Sequence, residues 1–232
     1  MVNFCMQVRD RFRLTKQALE SLATAGMTDM TVTVLDDRSK PETRDYVVTW
    51  CNMFNAHYVR NNEPLGTGQL RNTVIRESEK HFGRGDYLAP HDNDTFFTDN
   101  WLKRMVQFYQ LVEPCDFRLL TGAGHPYHLP IFRYAMPGTD FDILAVQAVP
   151  TQSTFMTWKT WDRYGPYCDT PVDKTCQSED VFLTNKIRAD GYKLGEVYPH
   201  LVHATALKNT FGEPGPGWEL VKAQCPEGII CE

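Results

Sequence analysis

The stretch from Val2 to Phe97 alternates short apolar runs with amphipathic helical patterns, and this alternation constrains the fold more tightly than any other feature. "VNFCMQV" reads as a strand. From Arg13 to Ala25, Leu14, Ala18 and Leu22 share one helical face, and Gly26 supplies a stop. "MTVTVLDD" predicts a second strand ending in Asp36 and Asp37, "RSKPE" leads into a helix carrying Tyr46, Val47 and Trp50, and "AHYVR" is a third strand. "NNEPLGTGQLRNTVIRESEKHF" is a glycine-containing turn entering a helix with Leu70, Val74 and Ser78 on one face, and "DYLAP" is a fourth strand. Strands separated by helices are joined as βαβ units, so the pattern predicts an α/β, Rossmann-like domain with a mainly parallel, mixed central sheet flanked by helices. Ligands of such sheets sit at the carboxyl ends of strands. Asp36/Asp37 and Asp92/Asp94 both fall at such ends and are expected to face one cleft.

Beyond Trp101 the pattern loosens. "NWLKRMVQFYQLV" predicts a helix and "FRLLTGAG" a strand; His125 to Pro137 reads as a loop rich in proline and histidine, followed by "FDILAVQAV" and "QSTFMTWKTWDRYG". A last helix is expected from a Ser178 cap to Gly191. With 232 residues, 42% hydrophobic and 23% charged, the chain can bury a real core, and one domain over residues 1–205 is expected. Residues 206–232 hold "GEPGPG" and read as a loop or tail, a candidate lid over a ligand.

Net charge is -5 without a long Lys/Arg run, which argues against a general phosphate-backbone binder. The first residues show no basic leader, and no apolar stretch approaches the length of a membrane span, so a soluble, cytoplasmic protein is expected. Seven cysteines are scattered without C-x-x-C spacing, which favours reduced thiols; Cys168 with Cys176 and Cys225 with Cys231 are the pairs close enough in sequence to bridge.

"YLAPHDNDTFF" places two carboxylates two residues apart at a strand end. Acidic residues there are often turn formers. A calcium loop is excluded, since its fifth and sixth positions would be Phe96 and Phe97. On an extended strand, residues i and i+2 share a side with side chains roughly 7 Å apart, so Asp92 and Asp94 could address one hard cation, Mg²⁺ or Mn²⁺, that completes its shell with substrate phosphates. "PHLVHA" offers His200 and His203 as further ligands or as ordinary hydrogen-bonding residues. In "SEDVF", Glu179 and Asp180 complement a helix N-terminus; the same dipole would keep a general base ionised. "GTGQLR" lacks the third glycine of a dinucleotide motif, yet Arg71 could pair with a diphosphate. Trp158, Trp161, Tyr164 and Tyr167 are core residues or a sugar platform.

Taken in order, these pieces resemble the family 2-like glycosyltransferases of the GT-A fold, from Val2 to about Ala204. The matching pieces are "VRDR" before a helix, "VLDDRS" for D-D-x-S, "GTGQLRN" for the glycine turn and A-R-N, "HDNDTFF" for D-x-D, "SEDVFLTNKIRADGYKLG" for E-D-x-x-L-x-x-R-x-x-x-x-G, and "LVHA" for a late His. The resemblance implies a nucleotide-sugar donor, commonly UDP-linked, bound by residues 1–98, with the acceptor side in 99–205. It implies that Asp37 meets base or ribose, that Arg71 and Glu179 lie by the donor, and that Asp92 and Asp94 serve ribose and metal. His203 would be a further metal ligand, and Asp180 would deprotonate the acceptor hydroxyl in an inverting displacement. "TQST", Thr151 to Thr154, replaces the family's frequent glycine pair. The acceptor is left open among a glycan, a protein, a small molecule and a hydroxylated base of viral DNA, the last disfavoured by the acidic charge. A nucleotidyltransferase would carry its glycine-rich turn directly after the first strand, where this chain has "QVRDR"; a binding module without chemistry is the other alternative.

Overall fold

The computed structural model describes residues 1–63, 65–124, 130–168, 179–205 and 229–230, with Glu179 and Asp180 described by backbone only. At its centre lies β1 (Val2–Val8), buried along its whole length. Its even-numbered residues Phe4, Met6 and Val8 enter one apolar cluster, with Ala18, Leu19 and Leu22 of α1 (Phe12–Ala25). Cys5 faces the other way, toward Leu70, Val74 and Ile75 of α3 (Thr67–Phe82). A strand covered on both faces has no need of polar alternation, which is why "VNFCMQV" is nearly all apolar. Each large side chain so buried contributes about 1.5–3 kcal/mol.

β2 (Met30–Asp37) pairs parallel with β1, and β3 (His57–Asn61) pairs parallel outside β2, reached through α2 (Pro41–Met53). After α3 the chain returns to the opposite side of β1 as β4 (Tyr87–Asp92), giving the order β3-β2-β1-β4-β9, with β9 (Met156–Thr157) antiparallel at the edge. Strand order therefore reverses between β1 and β4, the place where open α/β sheets leave a crevice. Gly26 and Gly83 end α1 and α3 with φ of 95° and 73°, a conformation that strains other residues.

A second sheet, order β6-β10-β8-β7, is mixed. It comprises β6 (Phe117–Thr121), β7 (Pro130–Ala135), β8 (Asp142–Val146) and β10 (Lys193–Tyr198). A third, two-stranded sheet pairs β5 (Thr95–Phe97) with β11 (Val202–Ala204). Helices α4 (Trp101–Val112), α5 (Trp158–Tyr164) and α6 (Glu179–Ala189) complete the fold.

Two expectations are corrected. Within the stretch expected as a loop, residues 130–135 form β7, which is exposed along most of its length and so lacks the alternation that marks a half-buried strand. β4 stops at Asp92 and the chain turns before β5, so Asp94 is not the i+2 neighbour of Asp92 on one extended strand. Of the two readings of the aromatics, the core one holds for Trp158, Tyr164 and Tyr167, which are buried. Among the described residues, Cys5, Cys51 and Cys115 are free thiols, and no helix is long and apolar enough to cross a membrane. Ser178, Cys176, Cys225, Cys231 and the candidate lid lie outside the described residues, except 229–230, where the Gln17 amide exchanges two hydrogen bonds with the backbone of Ile230.

Candidate functional site at the sheet switch point

The register brings the ends of three parallel strands level: Gln7 lies opposite Leu35 on one side and Asp92 on the other, and Val8 opposite Asp36. The chemistry at this edge separates each acidic pair into two roles. Asp36 is saturated. It accepts from the Ser39 amide at 2.8 Å, from the Tyr58 hydroxyl at 2.8 Å and from the Arg60 guanidinium, stapling β2 to β3. Asp37 Oδ1 accepts from Asn61 at 3.0 Å, while Oδ2 is buried without a hydrogen-bond partner among the described residues, the Arg9 guanidinium being 3.5 Å away.

Asp92 is likewise occupied: both of its oxygens face Arg71 Nη2, at 2.6 and 2.8 Å, and Gln7 Nε2 donates at 2.6 Å. Asp94 has Arg11 Nη1 2.5 Å from Oδ2, and Oδ1 is buried without a hydrogen-bond partner among the described residues. Burial, then the neighbouring Asp92 charge, push the Asp94 carboxyl up to about 6, with Arg11 opposing. A buried unsatisfied acceptor costs free energy unless something fills it.

Arg71 is buried, and its surroundings explain the "GTGQLRN" motif. A Cβ on Gly68 would sit 2.1 Å from the Cys168 carbonyl oxygen, so the glycine admits the 167–168 segment rather than a phosphate. Asn72 clamps the Tyr167 backbone with two bonds of 3.0 Å, and the Arg71 guanidinium lies 5.7 Å from the Tyr167 ring centroid. Helix α3 is thus seated so that Arg71 reaches Asp92. The "TQST" segment runs beside β4: the Asp92 amide donates to Gln152 and the Thr154 amide to Pro90.

β11 carries His203 to this edge. His203 pairs with Phe96 and Ala204 with Thr95, and the amide and hydroxyl of Thr205 both donate to the Asp94 carbonyl at 2.8 Å. Burial and then His200 lower the His203 pKa, keeping the ring neutral and able to ligate. His200 is turned elsewhere, 2.9 Å from Glu196, with its ring in the space a Cβ on Gly124 would need. Among the described residues no group of three or more His, Cys, Asp or Glu side chains is arranged to hold a metal. Of the expected ligands, Asp94 has one open buried oxygen and His203 a neutral ring; a cation held by both would need the rest of its shell from phosphate and water. α6 begins at Glu179, and the side chains of Glu179 and Asp180 lie outside the described residues.

Sequence reasoning missed Gln7, Arg9 and Arg11 as partners of these carboxylates. Contacts across 85, 28 and 83 positions leave no spacing signal.

The model of the glycosyl transferase family 2 matches residues 5–114. No curated protein sequence matches the chain. Among solved structures, the mannosyltransferase PcManGT from Pyrobaculum calidifontis, in complex with GDP-Man and Mn²⁺, is similar over 83% of this chain and 53% of its own, with TM-score 0.60 and 15% identity. TarS of S. aureus is similar over 84% of this chain and 34% of its own, with TM-score 0.61 and 16% identity. Residues 1–349 of TarS in complex with UDP-GlcNAc give TM-score 0.58 and 16% identity over 84% and 55% of the two chains. The chain therefore spans about a third to just over half the length of these proteins. The match to the family model thus spans just under half of the chain, and the chain as a whole shares the GT-A fold of these glycosyltransferases.

Proposed function

We propose that the chain transfers a sugar from a nucleotide-sugar donor to an acceptor hydroxyl, with the crevice at the β1/β4 switch point as the donor site. The observation that carries this reading is that Asp37, at the end of β2, and Asp94, in the turn after β4, each keep a buried oxygen that accepts no hydrogen bond from a described residue. In this reading Asp37 receives the base or ribose, and Asp92, fixed by Gln7 and Arg71, orients the ribose and supports the metal shell. Asp94 and His203 hold Mn²⁺ or Mg²⁺. When bound, the cation supplies Lewis-acid stabilisation of the departing diphosphate. Arg9 and Arg71 add fixed positive charge beside the donor. Asp180 takes the proton from the acceptor hydroxyl, and Glu179 stands on the donor side. A single displacement brings the acceptor oxygen in opposite the leaving group, so the anomeric centre inverts. Residues 1–98 serve the donor and 99–205 the acceptor. The UDP-GlcNAc and GDP-Man bound by the two similar proteins support testing UDP-linked donors first and GDP-linked donors second.

The test is release of nucleoside diphosphate from UDP-sugars and GDP-mannose with Mn²⁺, by wild type, Asp94→Asn and Asp180→Asn, across glycan, peptide, small-molecule and hydroxylated-DNA acceptors. Loss of a general base is expected to cost about 10²–10⁴ in rate. Pyrophosphate release from a nucleoside triphosphate would instead indicate a nucleotidyltransferase. Binding of nucleotide without turnover of any donor would indicate a binding module.

A further inference from the structure

The ion pair between Arg11 and Asp94 is made by a loop built to aim it. Asp10 and Arg11 follow β1 with φ of 51° and 53°, a region that residues with side chains seldom adopt. Four hydrogen bonds hold the turn: the Asp10 amide donates to Ser39 Oγ at 2.9 Å, and Asp10 Oδ1 accepts from the Lys40 amide at 2.7 Å. The Asp10 carbonyl accepts from Thr15 Oγ1 at 2.9 Å and from Asn93 Nδ2 at 3.3 Å. Asn93 stands between the two aspartates and also donates to Thr15 Oγ1 at 2.6 Å, so one side chain fixes both the arginine loop and the acidic turn. The outcome is Arg11 Nη1 at 2.5 Å from Asp94 Oδ2, with the side chains 24% and 14% exposed, too sheltered for solvent to screen the contact fully.

We propose that Arg11 is an internal counter-cation: it keeps Asp94 closed to divalent metal in the free protein and moves onto the donor diphosphate when nucleotide arrives, so metal and nucleotide enter as a pair. The inference rests on the donor-site reading above. A guanidinium on one oxygen of a carboxylate opposes a dication on the other by like-charge repulsion across a few ångströms. A diphosphate offers the guanidinium a more highly charged, bidentate partner, which a freed Arg11 would take. Arg71 does not share this role, because it spans both oxygens of Asp92. By linkage, whatever the diphosphate does to metal affinity the metal must do to diphosphate affinity.

The test is Mn²⁺ binding followed by the electron paramagnetic resonance signal of free Mn²⁺, with and without UDP or GDP, on wild type, Arg11→Met, Arg11→Gln and Arg11→Lys. Arg11→Met and Arg11→Gln are expected to bind Mn²⁺ alone at least about tenfold tighter than wild type, with the nucleotide-induced gain shrinking by the same factor. Arg11→Lys, which keeps the charge, should stay near wild type. Circular dichroism identifies any variant that does not fold, and either neutral variant suffices. If wild type binds Mn²⁺ and nucleotide cooperatively but a folded neutral variant shows unchanged or weaker Mn²⁺ affinity, the Arg11 inference is wrong and the donor site stands. If neither wild type nor the variants bind either ligand, both fall together.

Discussion

β1 and β7 are strands of similar length in the two larger sheets, yet β1 is buried at every position and β7 is exposed at nearly all of its own. β1 carries the site: Gln7 at its end and the Asp10–Arg11 turn after it reach both aspartates of the acidic turn. β7 is the outer strand of a mixed sheet, with Ile131 and Phe132 facing out. The contrast shows where this fold concentrates rigidity. The parallel sheet fixes three strand ends to within one register step, and the mixed sheet tolerates an open edge.

The largest effect should come from β1 itself. Phe4 is fully buried, stacked on His91 at 4.8 Å and edge-on to Phe97 and Trp101. Phe4→Ala is expected to cost about 3–5 kcal/mol in urea unfolding; a loss near zero would mean the parallel sheet is no more tightly packed than β7. Next, Gly68→Ala pushes a methyl against the Cys168 carbonyl, whereas Gly195→Ala in β10 meets the ends of the Leu120 and Ile143 side chains. Overpacking costs about 1–3 kcal/mol, and the backbone clash at Gly68 should lie at the upper end with the Gly195 variant below it. Melting temperatures of the two variants in the reverse order would break the comparison.

Acid should act on the same apolar cluster. His91 points from β4 into the Phe4, Phe97 and Trp101 rings, and burial, then Arg71, lower its pKa to about 3. Between pH 6.5 and 3 the unfolded chain takes up a proton that the folded chain refuses. Stability is therefore full above 6.5 and falls by up to about 1.4 kcal/mol per pH unit below it. His91→Phe should remove that component of the slope in pH-dependent unfolding, and an unchanged slope would show that His91 is protonated in the folded protein. The smallest effect belongs to the open edge: Phe132→Ala should change stability by no more than about 0.5 kcal/mol.

What could be read from the sequence follows the same division. β1, β2 and β4 were legible because strands buried on both faces leave apolar runs, and α1 and α3 because each sets one apolar stripe on the sheet. β7 was illegible because an exposed edge with a proline at its start carries no pattern distinct from a loop. At the site, the carboxylates were visible as pairs, but their division into filled and open oxygens was not. That division depends on Tyr58, Arg60 and Gln7, which are distant in sequence from the acids they occupy. The glycines of "GTGQLRN" were legible as a turn; the reason for Gly68 required Cys168, which the chain reaches a hundred residues later.

The central claim, that Asp94 serves a cation-dependent diphosphate site at the switch point, is tested most directly by calorimetric titration of UDP and of GDP into wild type and Asp94→Ala, each with Mn²⁺ and with EDTA. The account predicts that one nucleotide binds wild type with Mn²⁺, weakens by at least about tenfold in EDTA, and binds Asp94→Ala equally weakly in both. Binding that ignores both EDTA and the substitution, or no binding of either nucleotide, would contradict it.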